Sequence, residues 1–192
     1  MRILIRQSGM ASKQAYIKEE FAKITSIITG DVAVNPGYIN EDGKQNPMWS
    51  FYGYDVAGTV TLTNDATCAT QYVLDFLTDT NDPRIDYLYE RPAGGHLGVE
   101  QGYVVDSSFS ADNVSNLGPG ILKGFDQDAI IFSSSEALFL LAEARVRGYM
   151  SGDAKSVYDA GIAESFATLG ASQGTYTGDA DWNSKSKIEA II

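Results

Sequence analysis

The residues able to do covalent chemistry are few. His96 is the only histidine and lies in "AGGHLG", a turn-rich stretch with no nucleophile signature beside it, so a Ser-His-Asp or Cys-His constellation has no sequence support. Neither GxGxxG nor GxxxxGK[ST] occurs, so neither phosphate-cradling fingerprint is met. Carboxylates occur in pairs, Asp82 with Asp86 and Asp126 with Asp128, which could serve as acid and base on a sugar. Their spacing along the chain does not set the separation in space that such work requires, and solvated turn residues are the simpler reading. "GFDQD" and "NED" offer hard oxygen atoms without a complete calcium loop, and the single Cys68 excludes an internal disulfide or a thiolate metal cluster. No metal or cofactor is implied.

The aromatic residues are the stronger signal. Trp49, Phe51, Tyr52 and Tyr54 crowd "PMWSFYGYD", and Tyr38 precedes them. Tyrosine and tryptophan combine an apolar face with a polar edge, which suits flat, hydroxyl-rimmed ligands such as sugar rings. Their spacing follows neither a helical stripe nor a strand alternation, so some are expected to face outward rather than into a core. The candidate ligand-binding residues are therefore Trp49, Tyr52, Tyr54 and Tyr38.

The elements that must position this stretch are helical. "SSSEALFLLAEARVRGYMSGDAKSVYDAGIAESFATLG" places Ser133 three residues before Glu136, the capping-box spacing, and ends its two helices at Gly148 and Gly170. Ala137 to Ala144 is apolar on nearly every side except Glu143, as in a helix buried between neighbours. Tyr158, Gly161, Ile162, Ser165, Phe166 and Leu169 share one face of the second helix. Small residues at 137, 142, 144, 160, 161 and 163 allow close approach, with Leu141, Ile162 and Phe166 expected in the facing surface. A hairpin of roughly 34 to 40 residues with this pattern is tetratricopeptide-like.

Elsewhere, a stripe of Ile17, Phe21, Ile24 and Ile28 predicts a helix from Ser12 to Gly30, and Ala69, Val73, Phe76 and Leu77 predict another that ends before Pro83. The expected organisation is one partial domain: helices over 1–29, an aromatic loop region over 30–66, a helix over 67–79, an irregular region over 80–132, the helical pair over 133–170 and the start of a further helix over 184–192. Short strands are expected near Gly58 to Leu62 and at "DAIIF". The fold class is mainly α, with long irregular loop insertions and a few short strands.

Composition bounds the partners. The 192 residues carry a formal charge of −11, which disfavours a phosphate backbone as ligand and argues against nucleic acid. No stretch approaches the roughly 18 consecutive apolar residues of a membrane span. "MRILIRQS" reads as helix rather than as a signal peptide, and "SKSKIEAII" stops without a helix-ending signal, so both ends read as those of a piece of a longer protein.

Four stretches together resemble the SusD/RagB group of nutrient-binding outer-membrane lipoproteins: "MRILIRQS", "QNPMW" at 45–49, "NDPRIDYLY" at 81–89, and "EALFLLAEARVRGYMSGDAKSVYDAGIAES" at 136–165. The last is the most specific, with Gly161 standing where the family usually has alanine. The resemblance implies a SusD-like α/α scaffold whose irregular insertions capture glycans or other nutrients, without catalysis, and pass them to a TonB-dependent porter. It also implies a position on the outer membrane's cell-surface side through a lipid anchor absent from this sequence, and Cys68, inside a predicted helix, is not that anchor. Two other readings stand beside this one: a tetratricopeptide-type adaptor for a protein segment, and an enzyme acting on polysaccharide.

Overall fold

The computed structural model describes residues 1–102 and 109–192; the part of the irregular region at 103–108 lies outside the described residues. In chain order the elements are α1 (Arg2–Arg6), a short 3-10 turn (Ala11–Lys13), α2 (Gln14–Ala22), β1 (Val32–Val34), α3 (Pro47–Tyr52), α4 (Leu62–Asp65), α5 (Gln71–Asp79), α6 (Ile85–Leu88), β2 (Ala129–Phe132), α7 (Ser134–Val146), α8 (Ala154–Leu169), α9 (Asp179–Ser184) and α10 (Lys187–Ile191). The chain is mainly α, with long irregular excursions and a few short strands. It forms two compact units: Met1–Val32, Ile130–Ser165 and Thr177–Ile192 make the first, and Ala33–Ala129 with Phe166–Tyr176 make the second.

The first unit is built around α7, which packs against α1 and α10. Ser133 caps α7 by accepting from the Glu136 amide at 3.1 Å. The expected reciprocal half of the box is replaced: the Glu136 carboxylate instead receives both Nε and a terminal nitrogen of Arg2 at 2.6 Å each. A bidentate guanidinium is the stronger partner for a carboxylate than one backbone amide. Within α7, Ala137, Leu141, Ala142 and Ala144 are buried, and Glu143 is buried with them because Arg147 one turn on reaches its Oε1 at 2.7 Å. On α8, Tyr158, Gly161 and Ile162 turn inward. Ser135 donates to the Gly161 carbonyl at 3.0 Å, and the Phe139 ring lies where a Gly161 Cβ would project.

A second cluster of this unit joins Ile5, Ile17, Phe21 and Ala144, with Tyr149 stacked on Phe21 at 5.4 Å between ring centroids. Here the expected reach of the second helix is corrected: α2 stops at Ala22 rather than Gly30. The following "ITSIIT" is almost wholly β-branched, and such residues lose side-chain freedom in a helix. The last turn of the chain is α10, where Ser186 and Glu189 form a complete capping box, and α9 precedes it as a helix not expected from the sequence.

The second unit contains α3 to α6. α5 begins later than expected, with Thr70 rather than residue 67 at its start and the Thr70 hydroxyl accepting from the Val73 amide. Its buried face is Leu74 and Leu77, while Phe76 is exposed, so the helix is rotated from the predicted face; Cys68 lies before it, outside any helix. Phe166, expected in the hairpin interface, instead belongs to this unit, where its ring lies 5.7 Å from Tyr176 and 5.0 Å from the Arg84 guanidinium. Asp82 is correspondingly not a solvated turn residue: its side chain is 1% exposed and holds Arg84 through Nε at 2.9 Å and a terminal nitrogen at 2.5 Å. Burial pulls the Arg84 guanidinium down, but the hydrogen bond and charge of Asp82, helped by Tyr176, outweigh it and leave it above its ordinary value.

Candidate functional site

The site is built on an asparagine. Asn46 is 1% exposed, and its side-chain oxygen accepts from the amides of Met48 at 2.8 Å and Trp49 at 3.2 Å, capping α3. Pro47 follows at the first helical position, where its missing N–H costs nothing. The expectation of a loop through "NPMWSFY" is corrected in this respect: Pro47–Tyr52 is helical, and six residues are too few to display a stripe. Asn46 is itself fixed, since its backbone amide donates to the Phe125 carbonyl at 2.7 Å and its Nδ2 to the Gln127 carbonyl at 2.9 Å.

Beyond α3 the chain turns sharply at Gly53, where an added Cβ would meet the Trp49 carbonyl oxygen at 2.7 Å, so only glycine permits the approach. Tyr54 then pairs with Val60 in an antiparallel bridge, and the turn between them is closed by Asp55, which accepts from the amides of Ala57 at 2.9 Å and Thr59 at 2.8 Å. This return brings the Tyr54 ring to 5.1 Å from Trp49, tilted by 38°. Trp49 and Tyr54, both half-buried, thereby line an open cleft of about 350 Å³ with Asn40, Asp55, Gly58 and Phe125.

The four sequence-predicted residues therefore separate. Trp49 and Tyr54 meet in the cleft. Tyr52 packs edge-on against Phe51 at 4.9 Å, and neither Tyr52 nor the half-buried Tyr38 is among the residues lining this cleft. Phe125, Asn40 and the capping Asn46 were missed, because all three come from stretches without periodicity that read as loop.

His96 is not loose. Its Nε2 lies 2.8 Å from Asp86 and its Nδ1 3.2 Å from the Ser115 hydroxyl, the ring nitrogens being swapped relative to a hydrolytic triad, where Nε2 faces the serine. The burial is inverted as well: Ser115 is 0% exposed and accepts from the Leu97 amide at 3.2 Å, while Asp86 is exposed. A nucleophile must reach its substrate, and this serine cannot, so the arrangement ties α6 to the two loops that carry His96 and Ser115. Among the described residues, no group of His, Cys, Asp and Glu side chains could hold a metal ion. Among them, too, no helix is long and apolar enough to cross a membrane.

This fold defines a class of helical-hairpin proteins with long irregular excursions between their helices. The chain belongs to the SusD-like family: the family model described as starch-binding, associating with the outer membrane, matches residues 1–192. Solved structures agree in fold. A SusD homologue from Bacteroides uniformis superposes with a TM-score of 0.65 at 20% identity, over 89% of this chain and 35% of its own. One from Bacteroides fragilis gives 0.65 at 16% identity over 88% of this chain and 38% of its own. A chitin-binding SusD homologue from Flavobacterium johnsoniae gives 0.60 at 19% identity, over 88% and 33% respectively. The chain thus spans well under half the length of these three structures. No curated protein matches it.

Proposed function

We propose that this chain is part of a non-catalytic glycan-binding component of an outer-membrane uptake system, held on the cell-surface side by a lipid anchor and delivering its ligand to a TonB-dependent porter. Family membership supports the setting, and the description of that family as starch-binding, with a chitin-binding homologue among the similar structures, supports a glycan as ligand. The observation that carries the binding site is the Trp49–Tyr54 pair in its open cleft. The polar groups at its rim are engaged internally: Asn40 accepts from Gln45 at 2.7 Å and donates to the Val56 carbonyl, and Asp55 closes its own turn. Recognition here rests on aromatic faces against the apolar face of a sugar ring.

Affinity electrophoresis against soluble starch, chitin oligomers and pectin tests the reading. Retardation without product, lost in Trp49→Ala and kept in Tyr52→Ala, is the expected result; the Trp49→Ala loss should be about 1 to 2 kcal/mol, roughly five- to thirtyfold in affinity. Product formation would point to an enzyme, and no retardation by any glycan would overturn the proposal in favour of a protein-binding adaptor.

A further inference from the structure

Among the residues that line the Trp49–Tyr54 cleft, Asp55 is the one that carries a charge, and its two carboxylate oxygens are used unequally. Oδ1 accepts from the amides of Ala57 at 2.9 Å and Thr59 at 2.8 Å, so both of its lone pairs are engaged inside the turn. Oδ2 makes no hydrogen bond among the described residues. The backbone of Asp55 is fixed too: its amide donates to the Thr59 carbonyl at 2.9 Å, and its carbonyl accepts from the Gly58 amide at 3.0 Å. An exposed carboxylate is thereby held still, with one oxygen left for a ligand.

The surroundings of Asp55 decide what that oxygen can receive. A carboxylate fixed before binding loses less freedom when a ligand arrives than one that turns in solvent. Gly58, inside the same turn at φ +80°, has nothing within 4 Å of the place a Cβ would take, so the approach from that side is open. Asn40 is committed to Gln45 and to the Val56 carbonyl and does not compete with Asp55 for the ligand. No lysine, arginine or histidine lines the cleft to offset the charge, and Lys44, the basic residue nearest along the chain, is paired with Glu41. The cleft therefore joins aromatic faces to a single oriented acceptor of negative charge.

We propose that Asp55 selects the class of glycan: with a sugar ring stacked on Trp49 and Tyr54, Oδ2 accepts from hydroxyls of that sugar, so the cleft takes neutral glycans and turns away those bearing carboxylate or sulfate groups. A sugar hydroxyl has a hydrogen to donate, and the two lone pairs of Oδ2 suit two neighbouring hydroxyls. An ionised carboxylate or sulfate on the ligand can only accept, and it is repelled as well. A cleft of about 350 Å³ is roughly 7 Å across, within the Debye length of about 8 Å at physiological salt, so an anionic group anywhere inside it meets the charge of Asp55. The inference rests on the aromatic cleft being a glycan site.

Calorimetry on this chain with matched pairs tests it: maltohexaose and its glucuronate counterpart, chitohexaose and its sulfated counterpart, and a fully methyl-esterified galacturonate oligomer beside the free acid. Within each pair the linkage and ring configuration are kept and the charge differs. Whichever neutral oligomer binds should do so roughly tenfold more tightly than its anionic partner, the size of one charge-assisted hydrogen bond. Asp55→Asn leaves the side-chain oxygen with the Ala57 and Thr59 amides, which need an acceptor, and so puts an NH₂ donor in the place of Oδ2. With the melting midpoint unchanged, it should weaken the neutral oligomer about fivefold, strengthen the anionic one and bring the pair to near parity. Asp79→Asn removes the same charge from an exposed residue that does not line the cleft, and should leave the preference as it was. Anionic oligomers bound as tightly as neutral ones by the unaltered chain, a preference untouched by Asp55→Asn, or one lost equally in Asp79→Asn would each overturn the role of Asp55; with binding still weakened in Trp49→Ala, the aromatic cleft would stand. Undiminished binding in Trp49→Ala, or no binding of any oligomer, would overturn the cleft and the selection together. A lysine-containing peptide bound as tightly as the neutral oligomer, and lost in Asp55→Asn, would overturn the sugar assignment in favour of a cationic ligand.

Discussion

Ser135 on α7 and Gly161 on α8 are joined directly: the hydroxyl donates to the glycine carbonyl at 3.0 Å, and a Cβ on Gly161 would stand 3.0 Å from the Phe139 ring. Removing the hydroxyl in Ser135→Ala leaves a buried contact unmade and should cost about 1 kcal/mol. Gly161→Ala works the other way. Alanine gains up to about 1 kcal/mol over glycine inside a helix, and the half-buried Phe139 need tilt by only a few tenths of an ångström. A net stabilisation of about 0.5 kcal/mol is expected, read as a higher melting midpoint. A lower midpoint for Gly161→Ala would show that Phe139 is held rigidly by its edge contact with Tyr158.

Asn46 is the positioning residue of the aromatic cleft. Asn46→Ala removes the cap of α3 and strands the Gln127 carbonyl, and should cost about 2 kcal/mol in stability. It should also lower glycan affinity, since Trp49 rides on the first turn of α3, which the asparagine side chain caps. Asn46→Asp retains the acceptor for the cap, although it sets a buried carboxylate oxygen against the Gln127 carbonyl and so loses stability too; with α3 still capped, it should bind more tightly than Asn46→Ala. Equal affinity in the two variants would remove the cap from the account.

These two cases show what was legible in the sequence. The α7–α8 pair was readable because long helices display their buried stripe and end in glycine, and the physics is local. Trp49 and Tyr54 were readable as types, but not as partners. Their meeting depends on a six-residue helix, a turn that only Gly53 permits and an Asp55 loop closure, none of which leaves a period. Tyr52 was indistinguishable from Tyr54 for the same reason. Phe166 was read on the right face of α8, but the partners of that face, Arg84 and Tyr176, come from irregular chain and could not be assigned.

The "NDPR" turn carries a stability prediction. Asp82 is buried against Arg84, whose guanidinium lies over both Phe166 and Tyr176 at 5.0 and 5.5 Å. Asp82→Ala leaves a largely buried positive charge without its counter-ion and should cost about 3 to 5 kcal/mol. Pairing it with Arg84→Met should recover a substantial part of that loss, because no charge is then left uncompensated. Denaturant unfolding of the two single variants and the double decides it: strictly additive losses would mean that the pair is not coupled.

The last expectation concerns acid. Lys155 on α8 bridges Asp159 at 2.5 Å and Asp179 at 2.6 Å, and its ammonium lies 6.0 Å from the Trp182 ring on α9. Burial draws Lys155 down, yet the hydrogen bonds to the two aspartates outweigh it and leave it raised; the bond from Lys155, then that from Thr177, holds Asp179 below its ordinary value of 3.8. A carboxylate lowered in the folded state contributes stability that is present above its ordinary value and is lost as the pH falls through the lower, folded one. The α9 attachment should therefore be constant from neutral pH down to about 4 and loosen only below that. Trp182 fluorescence in a Trp49→Phe background reads this directly, since Trp182 is then the sole tryptophan. In Lys155→Met the acid-induced change should be smaller, because without the depressing partner the Asp179 carboxylate contributes little pH-dependent stability. An identical acid-induced change with and without Lys155 would show that α9 is held by the Tyr158–Trp182 ring contact, at 4.9 Å, rather than by the ion pair.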